Sequence, residues 1–108
     1  MVQYKLIFYV PEKDTEAVKS AIFATGAGNI GCYSHCSWQV LGEGQFKPLQ
    51  GADPHLGEVD KIEKVKENRV EILCTDNNIQ NALMALKESH PYEEPAYEII
   101  STENHLFT

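Results

Sequence analysis

A strand–helix–strand pattern occurs twice in this chain, the second copy following the first at an offset of 65 residues. At that offset Ala17, Val18 and Ala21 fall on Ala82, Leu83 and Leu86, and Phe8-Tyr9-Val10 falls within one residue of Ile72-Leu73-Cys74. Two such halves in 108 residues leave few folds open. Units of this length close into an α+β sandwich of the ferredoxin-like βαββαβ kind, with four antiparallel strands and both helices on one face. The whole chain, 1–108, is then a single domain with a long insertion between its two halves.

Within the first half, residues 3–10 place Tyr4, Leu6, Phe8 and Val10 on one face and Lys5, Ile7 and Tyr9 on the other, a strand with a partly apolar second face. Pro11 ends it. Asp14 is positioned to cap a helix starting at Thr15, with Glu16 favoured by the helix dipole. Val18, Ala21, Ile22 and Thr25 form its apolar stripe. Residues 32–41 alternate as a second strand, and Gly42-Glu43-Gly44 reads as a hairpin turn. Residues 46–58 contain Pro48, Gly51, Pro54 and Gly57 and read as a long ordered loop. Residues 59–67 read as a charged extended ribbon. In the second half, residues 69–74 alternate as a strand, and Asn78 can cap a helix carrying Ile79, Ala82, Leu83 and Leu86. Pro91 and Pro95 forbid helix beyond Ser89, so residues 96–101 form the last strand.

Residues 26–36, GAGNIGCYSHC, hold two patterns that suggest chemistry. Gly26 to Gly31 fits G-x-G-x-x-G, but that fingerprint needs a strand before it and a helix after it. Here the helix comes first, so a phosphate would meet the negative end of the dipole. The expectation is a helix-ending turn. Cys32 and Cys36 on a strand would lie about 13 Å apart, too far for a disulfide or one zinc ion. On a strand, Cys32, Ser34, Cys36 and Trp38 would pack under the helices, and Tyr33, His35, Ser37 and Gln39 would face away. The second suspicious stretch is residues 90–99, HPYEEPAYEI. His90 and Glu94 have the spacing of a helical metal pair, but Pro91 removes the helix. Asp53-Pro54-His55 could add one further ligand. Templates for a serine hydrolase elbow, a zincin or a P-loop do not occur.

The formal charge of −7 argues against nucleic acid and anionic membranes as partners. No apolar run is long enough to span a bilayer, and no signal peptide is recognisable at the N-terminus. Three cysteines cannot all pair, so reduced thiols in a cytoplasm are expected.

GAGNIGCYSHCSWQV, GEGQFKPLQGADPHLGEVDKIEKV and HPYEEPAYEI resemble successive motifs of the NGG-interacting-factor-three (Nif-three-like, YqfO-type) family, in the right order from about Tyr4 to Ile100. They resemble the domain inserted in the middle of its longer members, here as a stand-alone version. HPYEEP also resembles a segment of the CutA divalent-ion-tolerance proteins, which share a fold with PII signalling proteins. The resemblance implies a PII/CutA-like ferredoxin fold. It also implies that the dinuclear metal centre of full-length members, and the cyclohydrolase activity assigned to it, belong to the halves flanking the insert. Those halves carry an adjacent His-His pair, which this chain lacks, so no family metal ligand carries over.

The expected function is a small cytoplasmic binding or regulatory domain, oligomeric, without catalysis of its own, sensing a divalent cation or a small ligand. The alternatives are a metal-dependent hydrolase and a structural partner that docks on a longer family member. Candidate ligand or metal residues are His35, His90, Glu93 and Glu94. No resident cofactor is expected apart from that candidate divalent metal. Ile7, Tyr9, Tyr33 and Leu73 are expected on the helix-free sheet face as the oligomer contact; the resemblance to CutA and PII proteins implies three-fold closure, a trimer before a dimer, and cyclic closure would leave no exposed edge to propagate.

Overall fold

The computed structural model describes residues 2–103. The first strand, β1, runs Gln3–Pro11 and passes through a single 3-10 turn, Glu12–Asp14, into helix α1, Thr15–Phe23. Then come β2, Trp38–Phe46, and β3, Glu63–Thr75. Helix α2, Ile79–Ser89, leads to β4, Tyr97–Thr102. The sheet order is β2-β3-β1-β4 with every neighbouring pair antiparallel, the ferredoxin-like arrangement expected from the doubled pattern.

The two helices lie against each other on one face of the sheet. Between them and the sheet, Leu6, Phe8 and Val10 of β1 meet Val70, Ile72 and Cys74 of β3, Val18 and Ile22 of α1, and Ala82 and Leu86 of α2. These are the apolar positions of period two and period 3.6 read from the sequence, and burying them is the main driving force for the fold. Thr15 and Asn68 bring buried polar groups to this layer. The Asn68 amide donates to the Thr15 hydroxyl at 3.0 Å, and that hydroxyl donates to the Pro11 carbonyl at 3.2 Å. The relay ties β3 to the first turn of α1. Asp14 and Asn78 stand at the two helix N-termini without a side-chain capping bond. Asn78 instead accepts the Thr75 amide, closing the turn from β3 into α2. As expected, α2 stops at Ser89, ahead of Pro91.

Residues 32–37 are not strand. Gly26 and Gly28 have φ of 93° and 84° and end α1, and the Gly28 amide bonds to the Leu73 carbonyl. A methyl group on Gly28 would strike the Phe23 ring and the Cys36 carbonyl, so only glycine allows this approach. The segment then closes on itself, with Ile30 and Tyr33 paired and the Cys36 amide bonded to the Gly28 carbonyl. With the Ile30, Tyr33 and Cys36 amides bonded within the loop and not to a neighbouring strand, alternation over residues 32–37 does not extend the sheet.

The late start of β2 reverses the expected facing. Trp38 lies opposite Glu71 on the helix-free face, and Gln39 lies opposite Val70 on the helix side, where it accepts from the Lys19 ammonium at 3.0 Å. Cys32 is exposed and Cys36 half-buried, not packed under the helices. Gly42-Glu43-Gly44 is not a turn but the middle of β2, opposite Glu67, Lys66 and Val65. The ribbon expected at 59–67 is strand from Glu63 onward and continuous with the strand after it, giving β3 13 residues. Residues 47–62 contain no helix or strand, so the long loop expected over 46–58 starts one residue later and also takes in the first four residues of the expected ribbon. No helix among the described residues is long and apolar enough to cross a membrane.

Candidate functional site

The far half of the β2–β3 ribbon, the loop after β2 and the link between α2 and β4 meet around a cleft of about 430 Å³. By strand register Tyr9, Glu67 and Phe46 share the sheet face away from the helices, and they form one side of it. The loop supplies Pro48, Leu49, Pro54, His55 and Leu56, and the link supplies Tyr92, Glu93 and Glu94. Of the two stretches that suggest chemistry in the sequence, only residues 90–99 reach this cleft, where the fold brings them to the Asp53-Pro54-His55 segment; residues 26–36 do not line it.

His90 fixes one wall. Its Nε2–H donates to the Tyr9 carbonyl at 2.6 Å, just beyond the point where β4 stops pairing with β1. Its Nδ1 accepts the Tyr92 amide at 3.1 Å. Both ring nitrogens are therefore engaged in holding the link against β1. The imidazole is buried, and burial holds its pKa below the usual histidine value, against the opposing pull of the Tyr9 carbonyl and the Glu67 and Asp14 carboxylates. Its ring packs on that of Tyr92 at 4.9 Å, and Tyr92 packs in turn on Phe46 at 5.8 Å, both tilted.

Glu67 forms the floor. Its carboxylate lies over the bare backbone of Gly44, where a side-chain carbon would collide with it. The Tyr92 hydroxyl is buried and lacks a well-formed hydrogen bond. It faces Glu67 closely enough that burial first, and that carboxylate second, raise the phenol far above its ordinary pKa. Glu93 reaches across the cleft to accept the Asp53 amide at 3.3 Å, tying the loop to the link. The charged lining is three carboxylates, Glu67, Glu93 and Glu94, against Lys47.

The other candidate residues lie elsewhere. His35 has φ of 59°, bonds to the Ser34 hydroxyl through Nδ1, and packs on Phe23 at 4.9 Å. That loop hangs from Leu73, which pairs with Lys5, whereas His90 is bound to Tyr9, about 13 Å further along β1 by strand rise. His35 and the His90–Glu94 segment thus occupy opposite ends of the sheet. Among the described residues no group of three or more His, Cys, Asp or Glu side chains could hold a metal ion. Of the expected contact face, Tyr33 is in the loop and 76% exposed, Tyr9 and Leu73 are half-buried, and Ile7 is already buried at 2%. The exposed apolar side chains of the open face are Trp38, Val40 and Ile100 instead. Cys32, Cys36 and Cys74 are free thiols, and burial pushes Cys74 up to about 11. Sequence reasoning missed Phe46, Glu67 and Tyr92. Its one available signal was the pair Gly42 and Gly44 in a strand, which marks close approach by another group.

No family model matches the chain. Curated relatives do. A Mycobacterium tuberculosis protein named GTP cyclohydrolase 1 type 2 homolog is 47% identical over 97 residues, covering 90% of this chain and 26% of its own length. The Bacillus subtilis protein of the same name is 46% identical over 99 residues, covering 92% and 26%. The chain thus spans about a quarter of the length of the curated relatives it matches. Among solved structures, a Bacillus cereus protein related to NIF3 superposes with a TM-score of 0.81 at 33% identity, over 95% of this chain and 26% of that one. The periplasmic divalent cation tolerance protein CutA from Archaeoglobus fulgidus superposes at 0.66 with 16% identity, over 94% and 84%, a likeness of fold alone. Both halves of the resemblance read from the motifs, to the Nif-three-like proteins and to the CutA fold, therefore hold.

Proposed function

We infer that this chain, related over nearly its whole length to a quarter-length part of the NIF3-related proteins, is a small-ligand binding and regulatory domain that does no chemistry of its own. The observation that supports this most is the cleft. Its walls are segments 47–62 and 91–96, which lie in two of the motifs carrying the resemblance, and its floor is a carboxylate held over a glycine. An apolar concavity with a few convergent polar groups is the usual form of a small-molecule site. The activity in the relatives' name is said of those proteins, of which this chain matches about a quarter.

Assembly is the second part of the proposal. Trp38 and Val40 stand 58% and 47% exposed at the edge strand β2, and Ile100 on β4 is 47% exposed. Covering them against a second copy would contribute roughly 1.5–3 kcal/mol for each side chain fully buried. A closed assembly also leaves no free edge, and of the closed assemblies a trimer before a dimer is the one that the CutA and PII resemblance implies. The free thiols suit a reducing cytoplasm.

Sedimentation equilibrium of the chain at micromolar concentration tests assembly. The expected result is a trimer that Trp38→Glu converts to monomer; a monomeric wild type ends this part. Titration of the labelled chain by heteronuclear NMR tests the cleft. Saturable shifts confined to its lining, without turnover of the titrant, support it, whereas shifts only at the His35 loop would place the site elsewhere.

A further inference from the structure

We propose that the cleft selects an organic cation: an ammonium group carried on an apolar body about the size of one aromatic ring. This rests on the cleft being the ligand site and adds the chemistry of the ligand. Three carboxylates against one ammonium give the lining a negative balance, which disfavours anions. Of the carboxylates, Glu93 already accepts the Asp53 amide. Glu67 is the one placed on the floor, beside the buried Tyr92 hydroxyl that lacks a well-formed hydrogen bond. The hydrogen of that hydroxyl faces the Glu67 carboxylate, which leaves the buried oxygen without a donor, and a buried oxygen in that condition calls for one. One ammonium supplies it: an N–H to the Glu67 carboxylate, a second N–H to the phenol oxygen, and the charge close to the carboxylate.

The walls select the rest of the molecule. Phe46 and Tyr92 meet at an interplanar angle of 57°, an aromatic corner that favours a cation at its faces and an apolar group between them. Leu49, Leu56 and Pro54 continue it as an apolar surface. A bare metal ion would gain nothing from these walls, and no group of three or more His, Cys, Asp or Glu among the described residues could hold one. The volume of about 430 Å³ admits a body larger than a metal ion with its water shell.

The test is an NMR titration of the chain with 2-phenylethylamine, 2-phenylethanol and phenylacetate, which share the ring and differ in the head group. The amine is expected to give saturable shifts at the amides of Phe46, Glu67 and Tyr92. The alcohol should bind at least about tenfold more weakly, the scale of one charge-assisted hydrogen bond, and phenylacetate more weakly still. Glu67→Gln, which keeps shape, should weaken the amine by roughly tenfold or more and leave the alcohol unchanged. Tyr92→Phe, which removes only the hydroxyl, should weaken the amine in a protein of unchanged thermal stability and so provides a second arm. Equal binding of the three probes, or amine binding indifferent to both variants, overturns the cation assignment and leaves the cleft as a site. Saturable binding of Zn²⁺ at these amides that excludes the amine also overturns it. Failure of every probe to shift the lining overturns the cleft reading itself.

Discussion

Along β1, Leu6, Phe8 and Val10 point toward the helices and Ile7 points away from them, yet all four are buried. The means differ. On the helix side the cover is other apolar side chains from α1 and α2. On the open side no helix of the described residues lies. Ile7 pairs with Glu71 on one side and Glu98 on the other, with Lys5 and Tyr9 as its same-face neighbours. Lys5 and Arg69 both bridge to Glu71, at 3.0 Å and 3.3 Å, and the Tyr9 hydroxyl donates to Glu98 at 3.2 Å. The methylene stems and the ring of these amphipathic residues form a roof, their polar ends outward. Ile7, in the middle of the open face, is thus sealed within one copy, and the apolar surface left for a partner shifts outward to Trp38, Val40 and Ile100.

The sharpest test of this contrast is Phe8→Ala. It opens a cavity between two layers that cannot collapse into it and should cost about 3–5 kcal/mol in denaturant unfolding. A loss below about 1 kcal/mol would mean that the helices pack loosely. Ile7→Ala removes a similarly buried side chain from beneath a roof of flexible stems that can settle into the gap. About 2 kcal/mol is expected, at the low end for such a truncation. A cost equal to that of Phe8→Ala would break the contrast, because the roof would then be as rigid as a helix layer.

His90 seals the end of β1 by another means, a buried neutral imidazole with both nitrogens bonded. His90→Phe should cost about 1–3 kcal/mol, since it strands the Tyr9 carbonyl and the Tyr92 amide. The folded pKa lies below the ordinary value of 6.5, so the unfolded chain takes up the proton first as pH falls. Stability should therefore decline as pH drops below about 6.5 and level off below the folded pKa, and this component should vanish in His90→Phe. Unfolding midpoints between pH 7.5 and 5 would show it.

The smallest effect belongs to the roof's charges. The Lys5 hydrogen bond first, and the Lys5 and Arg69 charges after it, hold Glu71 below the usual carboxylate range despite desolvation. The stability it lends is present above the ordinary carboxylate pKa of 4.5 and is lost as pH falls through the lower folded value. Glu71→Gln should cost no more than about 1 kcal/mol at neutral pH and fade further in high salt. A larger cost would make the ion pairs themselves, and not their apolar stems, the cover over Ile7.

What could be read in advance follows the range of the interactions. The cores of β1 and β3, both helices and the stop before Pro91 were legible because each rests on a period or a proline within one element. The segment 32–37 was not. Its polar alternation imitates a strand, and only the tertiary bonds, from the Gly28 amide to Leu73 and from the Cys36 amide back to Gly28, show that the chain has turned back. Gly42 and Gly44 read as a turn because glycine most often marks one; here a glycine makes room for Glu67 from the neighbouring strand. His90 drew attention as a ligand, and the fold employs it as a clasp.

The sequence by itself determined the doubled strand–helix–strand architecture, because burying one apolar face per element leaves a chain of this length few other ways to close. It also determined the negative balance and the motifs that tie the chain to its longer relatives. Only the tertiary structure decided which residues meet. Tyr9, Phe46, Glu67 and Tyr92 lie on four different segments with no shared period, and the cleft they line exists only where β3 runs on past the core and the long loop folds back over it. The sealing of Ile7 was decided the same way. It depends on which charged stems the register places beside it, and a register is a property of paired strands, not of either strand alone.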